Sequence, residues 1–381
     1  MSIYLDAAAT TQPKPEVVEA MMPYFTEKYY NPSSLYSAAV EVKKDIEQAR
    51  QTIADFIDAE PNEIYFTSSG SEGNNWAIQG FVNYWRSIKT PIVVTSEIEH
   101  KSIMSCFEDD DIIVKRAMPV NSEGFVDIEE LEHTLKNYND IFNCKILVSI
   151  QFANNEIGTI QHIQKIAALA HKYGAVFHTD AVQAFGHIPI NVKELGIDML
   201  TASGHKIGCP KGIGILYKNS KTPIKPLIYG SQMNGMRGGT ENVPYIIGMA
   251  KAVDIAKDDI VNQSNIRSVR DYFIDKLESI GCKLNGSKYD RLFNNINVIL
   301  PDGVGGEEMM YMLDLSGIQC STGSACNSRS KEPSHVLKAI NLSDEEAARS
   351  IRMTISSDIT FDDVDIVINE MKKQFELVNV Q

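Results

Sequence analysis

Lys206 offers the most chemistry of any single residue in the chain. It closes Ser203-Gly204-His205-Lys206, just past an apolar run that ends at Ala202. A lysine at a strand end is ordinarily a solvated charge. This one stands beside a serine hydroxyl, a glycine and an imidazole. Such a set suits an amine that forms a Schiff base with pyridoxal phosphate, with Ser203 and His205 on the phosphate. Asp180, in His178-Thr179-Asp180-Ala181-Val182-Gln183, ends another apolar run. A carboxylate there is costly unless a cation meets it. A protonated pyridine nitrogen is such a cation, and the pairing keeps the ring an electron sink. The plainer reading of Asp180 is a helix N-cap.

Two further clusters complete the set. Thr67-Ser68-Ser69-Gly70-Ser71-Glu72-Gly73-Asn74-Asn75 joins a strand candidate to a helical start at Trp76. A turn of this kind presents backbone N–H groups and a helix dipole to a phosphate. No GxxxxGK[ST] is present, which removes a P-loop, and Gly303-Val304-Gly305-Gly306 reads as a plain turn. In Cys320-Ser321-Thr322-Gly323-Ser324-Ala325-Cys326-Asn327-Ser328, Cys326 has small or polar neighbours on both sides. Buried structural cysteines sit in apolar surroundings, so Cys326 reads as a nucleophile on a loop able to swing. Cys320, beside Ile318, reads as the more buried thiol. The Cys-x5-Cys spacing, with His335 the nearest histidine, does not suit zinc, and no metal site is expected.

These residues need elements to position them. Short apolar runs at Ile64–Thr67, Ile92–Thr95, Ile146–Ile150, Ala175–Thr179, Met199–Thr201 and Gly214–Tyr217 fit strands buried on both faces. Amphipathic stretches lie between them. Ile163, Ile166, Ala167 and Ala170 recur at helical spacing, and Gly174 follows as a stop. The alternation predicts a mainly parallel α/β sheet under helices. Past Val243 a long helical pattern leads into an α+β region. It has a helix near Asp271–Ile280, a strand at Asn295–Leu300, and helices near Glu307–Leu315 and Val364–Phe375.

The chain has 381 residues and a net charge of −14. That length gives a prior of two or three domains. The negative balance argues against a general nucleic-acid binder or a protein docked on an anionic membrane. No apolar run reaches the ~20 residues of a membrane span. Met1-Ser2-Ile3-Tyr4-Leu5-Asp6 lacks the basic start of a secretory signal. Six scattered cysteines without a CxxC pair read as reduced thiols of a cytoplasmic protein.

Taken together, the motifs resemble those of the cysteine desulfurases, pyridoxal-phosphate enzymes of the class-V aminotransferase type. The resemblance rests on Tyr4-Leu5-Asp6-Ala7-Ala8-Ala9-Thr10-Thr11, Glu99-His100-Lys101, Asn154-Asn155-Glu156-Ile157-Gly158, the Asp180 and Lys206 motifs, Arg237-Gly238-Gly239-Thr240, Thr322-Gly323-Ser324-Ala325-Cys326 and Ser350-Ile351-Arg352. They occur in family order from the N-terminus to about residue 356. The resemblance implies the aspartate-aminotransferase-like fold (fold type I): a seven-stranded mainly parallel sheet in a large domain, plus a small α+β domain. The boundaries expected are 13–257 for the large domain and 1–12 with 258–381 for the small one, which carries the cysteine loop. The long loop resembles the group that serves iron–sulfur assembly and tRNA thiolation.

The same resemblance implies residue roles. Lys206 carries the cofactor and shuttles the Cα proton. Asp180 pairs with the pyridinium nitrogen and Gln183 with the phenolic oxygen. His100 stacks on the ring and acts as acid or base. Gly70, Ser71, Ser203 and His205 hold the phosphate, with Thr240 arriving from the second subunit of a homodimer. Asn155 and Arg352 take the substrate carboxylate. L-cysteine becomes L-alanine, and its sulfur goes to Cys326 as a persulfide. An acceptor protein, either an iron–sulfur scaffold or a tRNA-thiolation enzyme, then receives it. A free thiol is only roughly 3% ionised at pH 7, so Cys326 needs a base such as His100 or help from the substrate thiol proton. Ser71, Gly73, Gly208-Cys209, Tyr30 and Ser356 depart from the usual family residues without removing a catalytic group. A selenocysteine lyase or another aminotransferase-like enzyme is the nearest alternative. A non-catalytic sulfur carrier would not need Lys206, Asp180 and Arg352.

Overall fold

A computed structural model describes residues 2–107, 114–142, 144–322 and 333–378. The expected nucleophile Cys326 lies outside the described residues.

The apolar runs form the expected central sheet. The chain begins with β1 (Ile3–Tyr4), then supplies β2 (Ile64–Thr67), β3 (Pro91–Ser96), β4 (Val114–Met118), β5 (Lys145–Ser149), β6 (Val176–Asp180), β7 (Met199–Ser203) and β8 (Gly214–Lys218). The last seven make one sheet in the order β2-β8-β7-β6-β5-β3-β4. All run the same way except β8, which is antiparallel to both neighbours. The seven-stranded mainly parallel sheet read from the resemblance is therefore present. β4 was not expected: Val-Lys-Arg-Ala-Met is too polar to read as a buried strand, and it lies at the sheet edge, where one side needs no partner.

Alternation along the strands divides the core into two layers. Ile92, Val94, Ile146, Val148, Phe177, Leu200 and Ile215 face one cluster. The helices Ser37–Phe56, Ile163–Lys172 and Val243–Val261 also contribute to it. Val93, Leu147, Val176, Met199 and Leu216 face the opposite one, against Trp76, Ile78, Phe81 and Val82 of the helix Gly70–Trp85. Helices on both faces explain why these strands read as continuous apolar runs.

Most of the remaining chain builds a separate apolar core, although Leu292, Val336, Leu337, Ile340 and Ala347 join the first. β9 (Lys283–Leu284), β10 (Asn295–Ile299), β11 (Ile318–Gln319) and β12 (Ser350–Thr354) complete the strands. β12, β10 and β9 form an antiparallel sheet, and β11 pairs with β1 from the N-terminus. Ile3, Leu5, Phe273, Ile296, Ile351 and Val364 share the core beneath. The helix expected near Asp271–Ile280 begins earlier, at Gln263. Its first turns are polar and exposed, so they carried no apolar period. Gly303 does form a turn, at φ +87°, and Gly305 caps the helix Gly306–Leu315.

Candidate active site

The strand order reverses at β3, with β4 on one side and β5 on the other. Ligands of open α/β sheets bind beyond the carboxyl ends of strands near such a reversal. A cavity of about 380 Å³ lies there, enough for a cofactor with a small substrate. Its walls come from the segments after β3, β5, β6 and β7, the start of the helix Gly70–Trp85, the N-terminal segment at Ala8–Ala9, His335 and Arg352.

Asp180 is the last residue of β6 and is 7% exposed. Its Oδ1 accepts from the Val182 amide at 2.9 Å, and its Oδ2 from Asn74 Nδ2 at 2.7 Å. Two donors orient the carboxylate but neutralise none of its charge, which suits it to a cationic ring nitrogen. Behind it, His178 bonds Ser149 Oγ at 2.8 Å and Thr201 Oγ1 at 3.1 Å. Burial pushes His178 down to about 3, so this strap between β5, β6 and β7 is neutral.

Lys206 follows β7 in a short 3-10 turn. Its Nζ donates to the Ala8 and Ala9 carbonyls at 2.6 and 2.7 Å. Gln183 Nε2 reaches the same Ala8 carbonyl at 3.0 Å. His205 Nδ1 bonds Thr10 Oγ1 at 3.2 Å. Burial, then the charges of Lys206 and Lys211, hold His205 down at about 4, so it offers a neutral N–H and not a charge.

The helix Gly70–Trp85 points its N-terminus into the cavity, and Ser69 caps it by accepting from the Glu72 amide at 3.2 Å. A Cβ at Gly70 would stand 2.6 Å from Val182 Cγ2 and 3.6 Å from Ser203 Cβ. Only glycine lets the helix start press against the strand ends that carry Asp180 and Lys206. Free amides of a first turn beside Ser71, Ser203 and His205 make a phosphate cradle. Cradle, carboxylate and amine together fit pyridoxal phosphate.

The opposite wall bears Arg352, 2% exposed on β12. Its Nη2 meets Asp6 Oδ1 at 2.6 Å and its Nη1 donates to the Asn155 carbonyl at 3.1 Å. Glu99 lies fully buried before His100. It accepts from Ser96 Oγ at 2.5 Å, and both its oxygens accept from the Gln151 amide at 3.0 Å. Burial pushes Glu99 up to about 8, with Asp180 adding to it and the Ser96 and Gln151 hydrogen bonds opposing. The clamp ties the His100 segment to the segment that carries Asn155.

Gly70, Ser71, His100, Asn155, Asp180, Gln183, Ser203, His205, Lys206 and Arg352 thus share one cavity. Thr240 does not line it; it is exposed in the turn before the helix Val243–Val261. Cys326 falls outside the described residues. Sequence reasoning missed Asn74, Ser102, Gln151 and His335 as lining residues. For Asn74 a signal existed: it lies four positions after Gly70, on the same helix face.

Comparison with known proteins agrees with this geometry. The class-V aminotransferase family matches residues 3–367. The chain is 45% identical to "Cysteine desulfurase IscS" of Dictyoglomus turgidum over 380 residues, 98% of this chain and 94% of the relative. It is 43% identical to the protein of that name from Methanosarcina thermophila, over 96% of this chain and 90% of the relative. Among solved structures, a "NifS-like protein" superimposes with a TM-score of 0.90 at 31% identity, covering 99% of this chain and all of the other (100%). A NifS-like protein from Rickettsia africae gives 0.88 at 34% identity, with 99% and 100% covered.

Proposed function

Since the chain belongs to the class-V aminotransferase family and, within it, to the cysteine desulfurases, we propose that it takes L-cysteine to L-alanine and holds the released sulfur as a persulfide on Cys326. The observation that carries this reading is the convergence of Lys206, Asp180, Gln183, His100 and Arg352 on one cavity. An aminotransferase would need no cysteine, and a passive sulfur carrier would need none of these five.

Pyridoxal phosphate is the cofactor in this reading. Asp180 would hold it at the ring nitrogen, Gln183 at the phenolic oxygen, and Gly70, Ser71, Ser203 and His205 at the phosphate. When bound, it takes up the electron pair left as the substrate loses its Cα proton, so that the Cβ–S bond can break. Lys206 anchors the cofactor by its amine and then moves the Cα proton. The Ala8 and Ala9 carbonyls would receive its ammonium after it has taken that proton. Arg352 and Asn155 take the substrate carboxylate; a guanidinium fixed by Asp6 suits the bidentate task. His100 covers the ring face. Cys326 attacks the substrate sulfur, and L-cysteine plus the enzyme thiol become L-alanine plus the enzyme persulfide, which balances without an outside oxidant.

Several finer points belong to the same reading. Residues 13–257 form the large domain, and 1–12 with 258–381 the small one; the two apolar cores support the division in the main, although Leu292, Val336, Leu337, Ile340 and Ala347 of the later segment pack in the first core. The active unit is a cytoplasmic homodimer in which Thr240 reaches the partner's phosphate. The persulfide passes to an acceptor protein, an iron–sulfur scaffold or a tRNA-thiolation enzyme. No described helix is long and apolar enough to cross a membrane. The test is to supply the purified protein with pyridoxal phosphate, L-cysteine and a thiol reductant. Alanine and sulfide are expected in equal amounts. No alanine, or turnover of selenocysteine alone, would overturn the proposal.

A further inference from the structure

His100 follows β3 and Asp180 ends β6, yet one line of hydrogen bonds joins them. Asn74 Nδ2 donates to Asp180 Oδ2 at 2.7 Å and to Ser102 Oγ at 2.9 Å. Ser102 Oγ lies 2.8 Å from His100 Nδ1, and the Ser102 backbone N–H donates to that same nitrogen at 3.1 Å. Asn74 is 1% exposed, and all four residues line the cavity.

Chemistry fixes the direction of each link. An ionised carboxylate can only accept, so the amide nitrogen of Asn74 must face Asp180. The second proton of that nitrogen goes to Ser102 Oγ. With its oxygen accepting, the Ser102 hydroxyl has its own proton to give to His100 Nδ1. The Ser102 backbone N–H can only donate, so Nδ1 must accept, and a proton on it would meet another donor head-on. The ring proton therefore belongs on Nε2.

We infer that Asn74 and Ser102 are positioning residues that hold His100 as a neutral imidazole protonated on Nε2, so that His100 meets the substrate as a hydrogen-bond donor and not as the base. This rests on the reading of the cavity as the pyridoxal-phosphate site. It refines the acid-or-base role expected from the sequence: a nitrogen that already carries its proton cannot take one from a thiol. It also makes Asn74 a shared part, since the donor that orients Ser102 orients the carboxylate meant for the ring nitrogen.

The test is ¹⁵N spectroscopy of histidine-labelled full-length protein, with and without pyridoxal phosphate. Of the eight histidines, the His100 signals are those lost in His100→Gln. Expected in both states is a bare Nδ1 and a protonated Nε2. Ser102→Ala, at a half-buried site that tolerates truncation, removes the hydroxyl donor but keeps the backbone N–H, so Nδ1 should stay unprotonated while its signal shifts, and Ser102→Thr should restore the original pattern. Asn74→Ala should weaken pyridoxal-phosphate binding roughly tenfold or more, as for a hydrogen bond to a charged group. A protonated Nδ1 in the unaltered chain, or an unchanged spectrum in Ser102→Ala, overturns the inference. A protein with the expected tautomer that makes no alanine from L-cysteine removes the function proposed above and leaves this assignment standing.

Discussion

Cys320 and Cys326 stand six positions apart, and the proposed chemistry needs only the second. Cys320 is part-buried, less sealed than its neighbour Ile318 suggests, yet burial, then Asp6 and Asp314, push its thiol up to about 12. Such a thiol carries almost no thiolate near neutral pH, too little to attack a sulfur at a useful rate. Cys326→Ser is accordingly expected to bind pyridoxal phosphate normally and to lose persulfide formation and sulfide release. Cys320→Ser should keep both activities. Mass-spectrometric mapping after one turnover reads the difference, and label on Cys320 would reverse the assignment. Arg352→Lys tests the carboxylate site: one point charge replaces a two-pronged donor, and KM for L-cysteine should rise roughly tenfold or more with kcat falling less. A KM left unchanged would mean that the carboxylate binds elsewhere. At this scale the reactive residues were legible because a lysine, a carboxylate and a thiol, each with a bland explanation alone, occur together among motifs that run in family order. Ser102 was not legible, and Asn74 only through its four-residue spacing from Gly70. An asparagine and a serine are common in turns and helices, and their meaning comes from a contact between segments 28 residues apart.

Elements were legible where burial made their sequences simple. The strands under two helical layers read as unbroken apolar runs, and their ends were found to within a residue or two. β4 escaped because an edge strand can be polar, and β1 with β11 because two residues carry no period. The helix Gly70–Trp85 shows what an element does for the site: its first turn is pressed onto Val182 and Ser203, and nothing larger than glycine fits. Gly70→Val should displace that turn, cost about 1–3 kcal/mol by overpacking and weaken pyridoxal-phosphate binding. Equilibrium dialysis against the cofactor together with a melting curve checks both effects. The same turn is braced from outside by Glu72, which meets Arg237 through two hydrogen bonds at 2.9 and 3.1 Å and accepts from the Ser68 amide at 2.7 Å. Burial alone would raise the Glu72 carboxyl, but the bonds from Arg237 and Ser68 outweigh it and hold the group below its ordinary 4.5. A carboxyl lowered in the folded state stabilises above its unfolded value and loses that contribution as pH falls through the folded one. Glu72→Gln should therefore lower the melting temperature at pH 7 and make little difference near pH 3. An equal deficit at both pH values would show that the brace is steric and not ionic.

The whole molecule brings together what no single element holds. β1 and Asp6 come from the N-terminus, β12 and Arg352 from near the other end, and Lys206 leans on Ala8 and Ala9 between them. Sequence order could not announce this closure, because a two-residue parallel pairing across some 300 positions has no local signal. Thr240 raises the same question one level up. It is exposed and absent from the cavity of its own chain, although the turn that bears it is hydrogen-bonded through the Gly238 amide to the Ile228 carbonyl at 2.9 Å. Leu227, Ile228 and Tyr229 beside it are 36%, 40% and 76% exposed. Apolar side chains gathered so openly call for cover, and a second copy of the chain would supply it while carrying Thr240 to the partner's phosphate cradle. A mixing experiment decides the matter. Lys206→Ala homodimers are expected to lack the visible absorption of the bound cofactor and all turnover. Thr240→Asp homodimers should bind pyridoxal phosphate poorly, because a carboxylate faces a phosphate. When the two variants are unfolded together and refolded, each mixed dimer has one doubly damaged site and one with an intact Lys206 served by an intact Thr240 from across the interface. Activity should return in the mixture. If Thr240 served its own chain, every site in every mixed dimer would be defective and mixing would restore nothing.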